Sequence, residues 1–192
     1  MVAVGIASEG DVPEVVETLA SAFDAVPIFR WFIPDAERRA AILPAFFAAM
    51  CEAYLPWGEI HRSVDGLAAA VWVPPGATPP PESVALLAER VPAAVGEYGV
   101  RMREFRPLLD AAHPTFPHWF LHFLAVRPEA QGRGYGSALL RAVLDRVEDT
   151  PAYLDATSPD NRRLYERHNF VVQRTLTLRD SPPLWSMLRE AR

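Results

Sequence analysis

The sequence of 192 residues contains no lysine, because all 19 of its basic residues are arginine. This absence excludes a lysine Schiff base, a pyridoxal-phosphate lysine and the lysine of a nucleotide-binding P-loop. The single cysteine, Cys51, cannot form an internal disulfide or supply a cysteine-based zinc site. Its apolar neighbours predict a small core residue, and this cysteine content favours a cytoplasmic location.

The chain also lacks an excess of positive charge and any long apolar run. Its 19 basic and 24 acidic residues give a formal charge of -5, which argues against general nucleic-acid binding. The most apolar stretch, residues 40–51, includes Pro44 and is too short for a membrane span, which needs about 20 residues. We therefore predict one domain over residues 1–192, with neither a membrane nor a nucleic acid as partner.

The first half of the chain alternates between strand and helix patterns. Asp11 and Glu14 resemble a capping box, which predicts a helix that follows a strand over residues 2–7. Asp65-Gly66 predicts a tight hairpin between two further strands. The predicted elements are a helix over 36–54, strands over 59–64 and 67–73, and a helical stretch over 82–111 with breaks at Pro92 and Gly96.

Residues 119–126 form a near-continuous apolar run, which is typical of a central strand covered on both faces. The elements predicted after it are helices over 136–148 and 159–168 and strands over 152–157, 170–178 and 184–188. Hairpins combined with strand–helix–strand crossovers predict an α/β fold with a mixed sheet.

A glycine-rich turn follows the apolar strand and opens the next helix. Its residues run Gln131-Gly132-Arg133-Gly134-Tyr135-Gly136, and Ser137 comes next. Glycine turns let backbone amides converge, and a helix N-terminus adds free N–H groups and a positive dipole end. The segment therefore predicts a site for a phosphate or pyrophosphate. Neither a P-loop nor a Gly-x-Gly-x-x-Gly dinucleotide motif fits the spacing.

The pattern Gln131-x-x-Gly134-x-Gly136, preceded by Val126-x-Pro-Glu, resembles the acyl-CoA-binding signature of the GNAT acetyltransferase superfamily. Residues 152–170 extend the resemblance and end in Asn161-x-x-x-Tyr165-x-x-x-x-Phe170. Segments LASAF (19–23), AAAVWVPP (68–75), 117–140, 154–170 and WSML (185–188) resemble the puromycin N-acetyltransferase branch. The resemblance implies a mixed, mostly antiparallel central sheet flanked by helices, and it implies acetyl-CoA as co-substrate.

The resemblance also implies roles for individual residues. Tyr165 is expected to protonate the CoA thiolate, and Asp155, where the branch carries Glu, is expected to relay the amine proton. A structural tyrosine and an acid that only binds a neighbouring loop are the alternatives. The expected CoA-binding residues are Leu124, Ala125, Val126, Gln131, Gly132, Arg133, Gly134, Tyr135, Gly136, Ser137 and Asn161.

Candidates for the acceptor pocket are Trp31, Phe32 and His122, although such residues are more often plain core. His118 and His122 cannot share a metal, because four residues on a strand span about 13 Å, and no metal is expected. Phe46, Phe47 and Tyr54 follow the first helix and are further candidates. Glu52 and Asp35 are better explained as solvated surface.

These observations predict an enzyme that transfers acetyl from acetyl-CoA to a small-molecule primary amine in a ternary complex. An aminonucleoside-like or antibiotic-like acceptor is one form of that hypothesis. The alternatives are a non-catalytic acyl-CoA sensor and a protein or peptide N-terminal acetyltransferase. The Pro-rich insertion over 74–117 favours small acceptors if it covers the pocket. The sequence leaves open the acceptor, the length of the acyl group and the oligomeric state, a homodimer included.

Overall fold

A computed structural model describes residues 2–191 of the chain. In that part of the chain the strands are β1 (Val4–Ile6), β2 (Glu59–Ser63), β3 (Ala68–Val73), β4 (Trp119–Val126), β5 (Ala152–Ala156), β6 (Val171–Leu176) and β7 (Leu184–Arg189). The helices are α1 (Val12–Phe23), α2 (Pro27–Phe32), α3 (Ala36–Tyr54), α4 (Pro81–Val95), α5 (Gly99–Ala112), α6 (Tyr135–Leu144) and α7 (Pro159–Glu166).

The strands form one sheet in the order β1-β2-β3-β4-β5-β7-β6. Strand β4 pairs with β5 in parallel, and the other neighbouring strands pair antiparallel. The connection from β4 to β5 runs through α6, as a parallel pair requires. The predicted α/β fold with a mixed, mostly antiparallel sheet is therefore confirmed.

Helices cover both faces of this sheet. On one face, α1 buries Val15 and Leu19 in a core that also holds Phe47 of α3 and Phe123 of β4. On the other face, α6 buries an apolar stripe that includes Leu140 in a second core, together with side chains of β3, β4 and β5. Helices α1 and α6 each present one apolar stripe to the sheet, and the sheet separates the two cores.

A β-bulge at His122 divides β4 into two parts. Val71 pairs with Phe123 and Trp72 pairs with Leu121, so that His122 has no partner in β3. Alternate residues of a regular strand share a face, yet Leu121 lies in the α6 core and Phe123 lies in the α1 core. The extra residue therefore reverses the faces. Strand β4 is also unpaired with β5 after Leu121, which is the last residue of β4 that pairs with β5.

Several local predictions need correction. The helix over 27–32 was not predicted, because its six residues are too few to show a helical period. The stretch over 82–111 breaks at Gly96, whose φ is 52°, but α4 continues through Pro92. The capping box joins Ser8 to Asp11 rather than Asp11 to Glu14.

Candidate active site

A cleft of about 1570 Å³ opens where β4 and β5 separate. One part, here called the turn half, is lined by residues 124–126 of β4, by residues 131, 132 and 134–137, and by the first turns of α7. The other part, here called the aromatic half, is lined by side chains of α1, α2, α3, α4 and α5 and by Phe120 and His122 of β4. The two halves are parts of one continuous cavity.

The turn half contains the glycine motif that the sequence analysis singled out. Gly132 has φ 76° and Gly134 has φ 89°, and a Cβ at either position would meet no neighbouring atom. Glycine adopts this left-handed backbone without steric strain. Gly136 is needed for a different reason, because a Cβ there would lie 2.9 Å from Leu164 of α7. The free first-turn amides of α6 begin immediately after Gly134, which is its N-cap.

One edge of β4 is open beside this turn. The pairing with β5 stops at Leu121, so residues 124–126 have no strand partner on that side. All three line the cleft. The side chain of Gln131 donates a hydrogen bond of 3.1 Å to the carbonyl oxygen of Val126 and holds the turn against the strand end. The geometry provides an unpaired strand edge that leads toward a set of free amides, and an extended polar ligand can add to such an edge.

Asp155 lies where the two halves meet. It lines the cleft and accepts a hydrogen bond of 2.9 Å from the hydroxyl of Tyr153, two residues earlier on the same face of β5. The ring of Tyr153 packs against Phe120 of the aromatic half. Burial disfavours the charged carboxylate and raises the pKa of Asp155 to about 7, while the bond from Tyr153 acts in the opposite direction.

Tyr165 and Asn161 project from α7 into the turn half. They are four residues apart on the helix and therefore share a face. The side chain of Ser158 caps α7 by accepting a hydrogen bond from the backbone of Asn161, which fixes the start of the helix. Burial raises the pKa of the Tyr165 hydroxyl, so that it keeps its proton at neutral pH. That hydroxyl has no hydrogen-bond partner among residues 2–191.

The aromatic half collects several of the predicted acceptor residues. Phe32, Phe46 and Tyr54 line it together with His122. The ring of His122 stacks on Phe123 with centroids 4.1 Å apart, and its buried Nδ1 has no partner among the described residues. Burial lowers the pKa of His122 to about 3, which keeps the imidazole neutral.

Other predicted residues lie outside the cleft. Trp31 was expected in the acceptor pocket, but it is buried against Phe32 and Phe105, and its indole N–H donates to Asp180. Adjacent residues of a helix point about 100° apart, so Phe32 lines the cleft while the neighbouring Trp31 does not. Arg133 is exposed on the turn and does not line the cavity. Phe47 is buried core.

Some predicted residues line the turn half mainly with their backbone. The hydroxyl of Tyr135 donates to Asp65 at 2.6 Å, and the hydroxyl of Ser137 bonds to His168 at 3.1 Å.

Two further residues from the sequence analysis have structural roles. Asp35 caps α3 by accepting a hydrogen bond from the backbone of Arg38. Cys51 is fully buried, and burial raises the pKa of its thiol to about 12, which makes it a core residue rather than a nucleophile.

Several lining residues were missed by the sequence analysis. Tyr153 does not line the cleft, but its bond to Asp155 could have been predicted, because it precedes Asp155 by two residues on one strand and alternate residues share a face. His113, whose Nε2 lies 3.2 Å from that of His118, lines the cleft. The contributions of α4 and α5 had no signal in the sequence, because they depend on how the insertion folds back over the sheet.

Comparisons with known proteins agree with this geometry. The model of the acetyltransferase (GNAT) family matches residues 48–170. A structure described as histone acetyltransferase HPA2 and related acetyltransferase, from Corynebacterium glutamicum, is 30% identical, with a TM-score of 0.78 over 100% of this chain and 98% of that one. A Drosophila melanogaster polyamine N-acetyltransferase that forms N-acetylagmatine shares the fold at 17% identity, with a TM-score of 0.63 over 99% of this chain and 100% of that one.

A curated relative is an uncharacterized N-acetyltransferase of Schizosaccharomyces pombe, which is 34% identical over 98 residues. That match covers 45% of this chain and 40% of the relative, so the chain spans less than half of the length of that protein. Among residues 2–191, no helix is long and apolar enough to cross a membrane, and no group of three or more His, Cys, Asp or Glu side chains is arranged to hold a metal ion.

Proposed function

The chain belongs to the GNAT acetyltransferase family, and from that premise we propose that it transfers acetyl from acetyl-CoA to the amine of a small molecule. The proposal treats residues 1–192 as one GNAT-like domain in which both substrates occupy the cleft at once. One observation carries it: the open edge of β4 leads from the free amides of α6 to Asp155 and Tyr165, within one cavity. A donor and an acceptor can therefore meet beside both groups.

Acetyl-CoA would lie in the turn half. Its pantetheine arm carries amide groups that can pair with the backbone of Leu124 and Val126, as an added strand would, whereas the backbone of Ala125 bonds to Ala69 of β3. The pyrophosphate would accept hydrogen bonds from the amides that follow Gly134, where the dipole of α6 is positive. Arg133 is exposed beside this turn, and it can supply a positive charge to the phosphates. Asn161 would contact the pantetheine.

Transfer requires a nucleophilic amine and a protonated leaving group. In the proposed step, the amine nitrogen attacks the thioester carbonyl, a C–N bond forms and the C–S bond breaks. Asp155 accepts the proton that the amine loses, directly or through a bridging water, and Tyr165 donates a proton to the departing thiolate. The raised pKa values suit both roles, because Asp155 releases its proton near neutral pH while Tyr165 retains its own. No covalent acyl-enzyme is needed.

The acceptor would lie in the aromatic half. Helices α4 and α5 of the insertion form one of its walls, which favours a small molecule over a polypeptide chain. His122 and Phe32 would contact this acceptor. The segments that resemble the puromycin N-acetyltransferase branch support an aminonucleoside-like or antibiotic-like amine as one candidate.

Two measurements test the proposal. Calorimetry should show that acetyl-CoA binds, and release of free CoA thiol should be faster with a primary amine than without one. Absence of any acyl-CoA binding would remove the basis of the proposal. Tight binding of acetyl-CoA without transfer to any member of a broad amine panel would favour an acyl-CoA sensor, and preferred transfer to peptide N-termini would identify a different acetyltransferase.

A further inference from the structure

We infer that the acceptor is a monoamine with an apolar, preferably aromatic, body and without a second positive charge. This inference rests on the proposed function and specifies its substrate class. The aromatic half is lined by many apolar side chains, seven of them with six-membered rings: Phe23, Phe29, Phe32, Phe46, Tyr54, Phe105 and Phe120. Such a surface gains from burying an apolar body, and it offers edges and faces against which an aromatic ring can pack.

Acidic side chains around this half are already engaged elsewhere. Three of them bind arginines and do not line the cleft: Asp24 binds Arg39 at 2.9 Å, Glu52 binds Arg90 at 2.6 Å and Glu104 binds Arg179 at 3.1 Å. Asp110 lines the cleft, but its carboxylate pairs with Arg106 at 2.6 Å. Within residues 2–191, Asp155 is the one acid that faces this part of the cavity without an arginine partner.

The acceptor site therefore contains one acidic group without an arginine partner, Asp155, at one of its ends. The reactive amine of the acceptor would lie beside Asp155, since that position also faces the turn half. A second ammonium group would lie among aromatic rings and near Arg103 and Arg106, which both line the cleft. His122 contributes no charge, because burial lowers its pKa to about 3.

Aromatic rings can themselves attract a cation, so the two effects must be compared. A ring face in a desolvated site favours a cation by about 30-fold. A buried ammonium without a counter-ion is disfavoured by about 100-fold to 1000-fold, and Arg103 adds repulsion, whereas Arg106 is paired with Asp110. The site consequently favours monoamines over polyamines, although a polyamine acetyltransferase shares the fold of this chain.

Initial rates with matched amines test the inference. Butylamine and putrescine have the same carbon skeleton and differ by one amino group. Phenylbutylamine is butylamine with an added phenyl ring. We expect kcat/KM for butylamine to exceed that for putrescine by about 10-fold, the net of the two effects, and kcat/KM for phenylbutylamine to exceed that for butylamine by about 10-fold. Rates are compared per amino group and corrected for the neutral fraction of each amine.

A variant with a new acid sharpens the test. Ala88 is exposed on α4 and lines the cleft, whereas Ala85 is exposed on the same helix and does not. Ala88→Glu should raise the putrescine-to-butylamine ratio of kcat/KM by about 10-fold, because the added carboxylate can pair with the second ammonium. Ala85→Glu, which adds the same charge outside the cavity, should leave the ratio unchanged.

The outcomes separate this inference from the proposed function. Equal or better use of putrescine, or of a lysine-containing peptide, overturns the inference and leaves amine acetylation in place. A ratio that moves equally in Ala88→Glu and Ala85→Glu also overturns it, since long-range charge would then explain the selectivity. If acetyl-CoA binds and no amine increases thiol release, the proposed function fails, and the substrate class fails with it.

Discussion

The two halves of the cleft are built in different ways. The turn half presents mostly backbone, namely the open edge of β4 and the amides that follow two glycines with positive φ. The aromatic half presents side chains that five separate helices bring together. A ligand that is bound by backbone groups constrains the residue type at few positions. A ligand that is bound by side chains constrains the residue type at every position that lines its site. The first half is therefore suited to a fixed co-substrate and the second to a variable acceptor.

The largest effect should come from a charge placed in the turn half. Gly134→Asp puts a carboxylate at the N-cap of α6, where the pyrophosphate would lie, and like charges in contact are strongly disfavoured. We expect acetyl-CoA affinity, measured by calorimetry, to fall by about 1000-fold. Gly76→Asp is the matched control, because Gly76 also has positive φ and open space but lies outside the cleft. Equal affinities in the two variants would move the pyrophosphate site away from the turn.

Loss of the Tyr165 hydroxyl should affect turnover but not donor binding. Tyr165→Phe preserves the ring in its buried position, so we expect kcat to fall by about 100-fold with the KM for acetyl-CoA nearly constant. Tyr98→Phe removes a hydroxyl outside the cleft and serves as the control. Should Tyr165→Phe retain full kcat on a verified acceptor, the proton must come from water or from another group.

Asp155 should produce a pH dependence. Only the ionised carboxylate accepts a proton, and burial raises its pKa to about 7, so kcat should rise with pH through that value. Asp155→Asn should abolish this rise and reduce kcat at pH 8 by about 30-fold, less than usual for a general base because water can replace the carboxylate. Tyr153→Phe should move the rise to higher pH, because the hydrogen bond that favours ionisation is lost. A wild-type-like profile in Asp155→Asn would exclude it as the base.

The same residue gives a prediction that is independent of activity. Because the pKa of Asp155 is raised in the folded state, its stabilising contribution is complete below pH 3.8 and is lost as the pH rises through about 7. Asp155→Asn should therefore gain stability over the wild type as the pH increases. Thermal unfolding should show a difference in Tm that widens from about pH 5 to about pH 8, and a constant difference would argue against the buried, ionised carboxylate.

The smallest effect concerns one wall of the aromatic half. Phe32 lines the cleft, whereas its neighbour Trp31 does not. Phe32→Ala removes part of the apolar surface that the acceptor would cover, so the amine KM should rise by about 10-fold without a change in the KM for acetyl-CoA. Trp31→Phe should leave both constants near the wild-type values. An amine KM that rises in Trp31→Phe and stays constant in Phe32→Ala would place the acceptor at Trp31 and not at Phe32.

The difference between the halves also explains what could be predicted from the sequence. The turn half was predictable because its motif is local: Gln131, Gly134 and Gly136 follow one strand and open one helix, and backbone geometry fixes their function. The aromatic half was predicted only in part. Phe32 and Trp31 are adjacent in sequence on a helix that is too short to show its period, and only Phe32 lines the cleft. Which of two such residues lines a cavity depends on tertiary packing.

The bulge at His122 is a second example. A continuous apolar strand indicates burial on both faces, and it contains no signal for an extra residue that reverses the faces of β4. That reversal places Phe123 in the α1 core, at the point where the pairing of β4 with β5 has ended. The strand edge that opens beyond it is thus a product of pairing between distant segments, which a local pattern does not record.

The most direct test of the backbone-built donor site is amide hydrogen exchange with and without acetyl-CoA. The first-turn amides of α6, residues 135–137, have no helical acceptor, and the amides of Leu124 and Val126 point to the open edge of β4, so both sets should exchange rapidly in the free protein. We predict that acetyl-CoA slows exchange at residues 124, 126 and 135–137, while α4 and α5 change little until an amine is added. Protection by acetyl-CoA that is confined to α4 and α5, with unchanged exchange at residues 135–137, would contradict it.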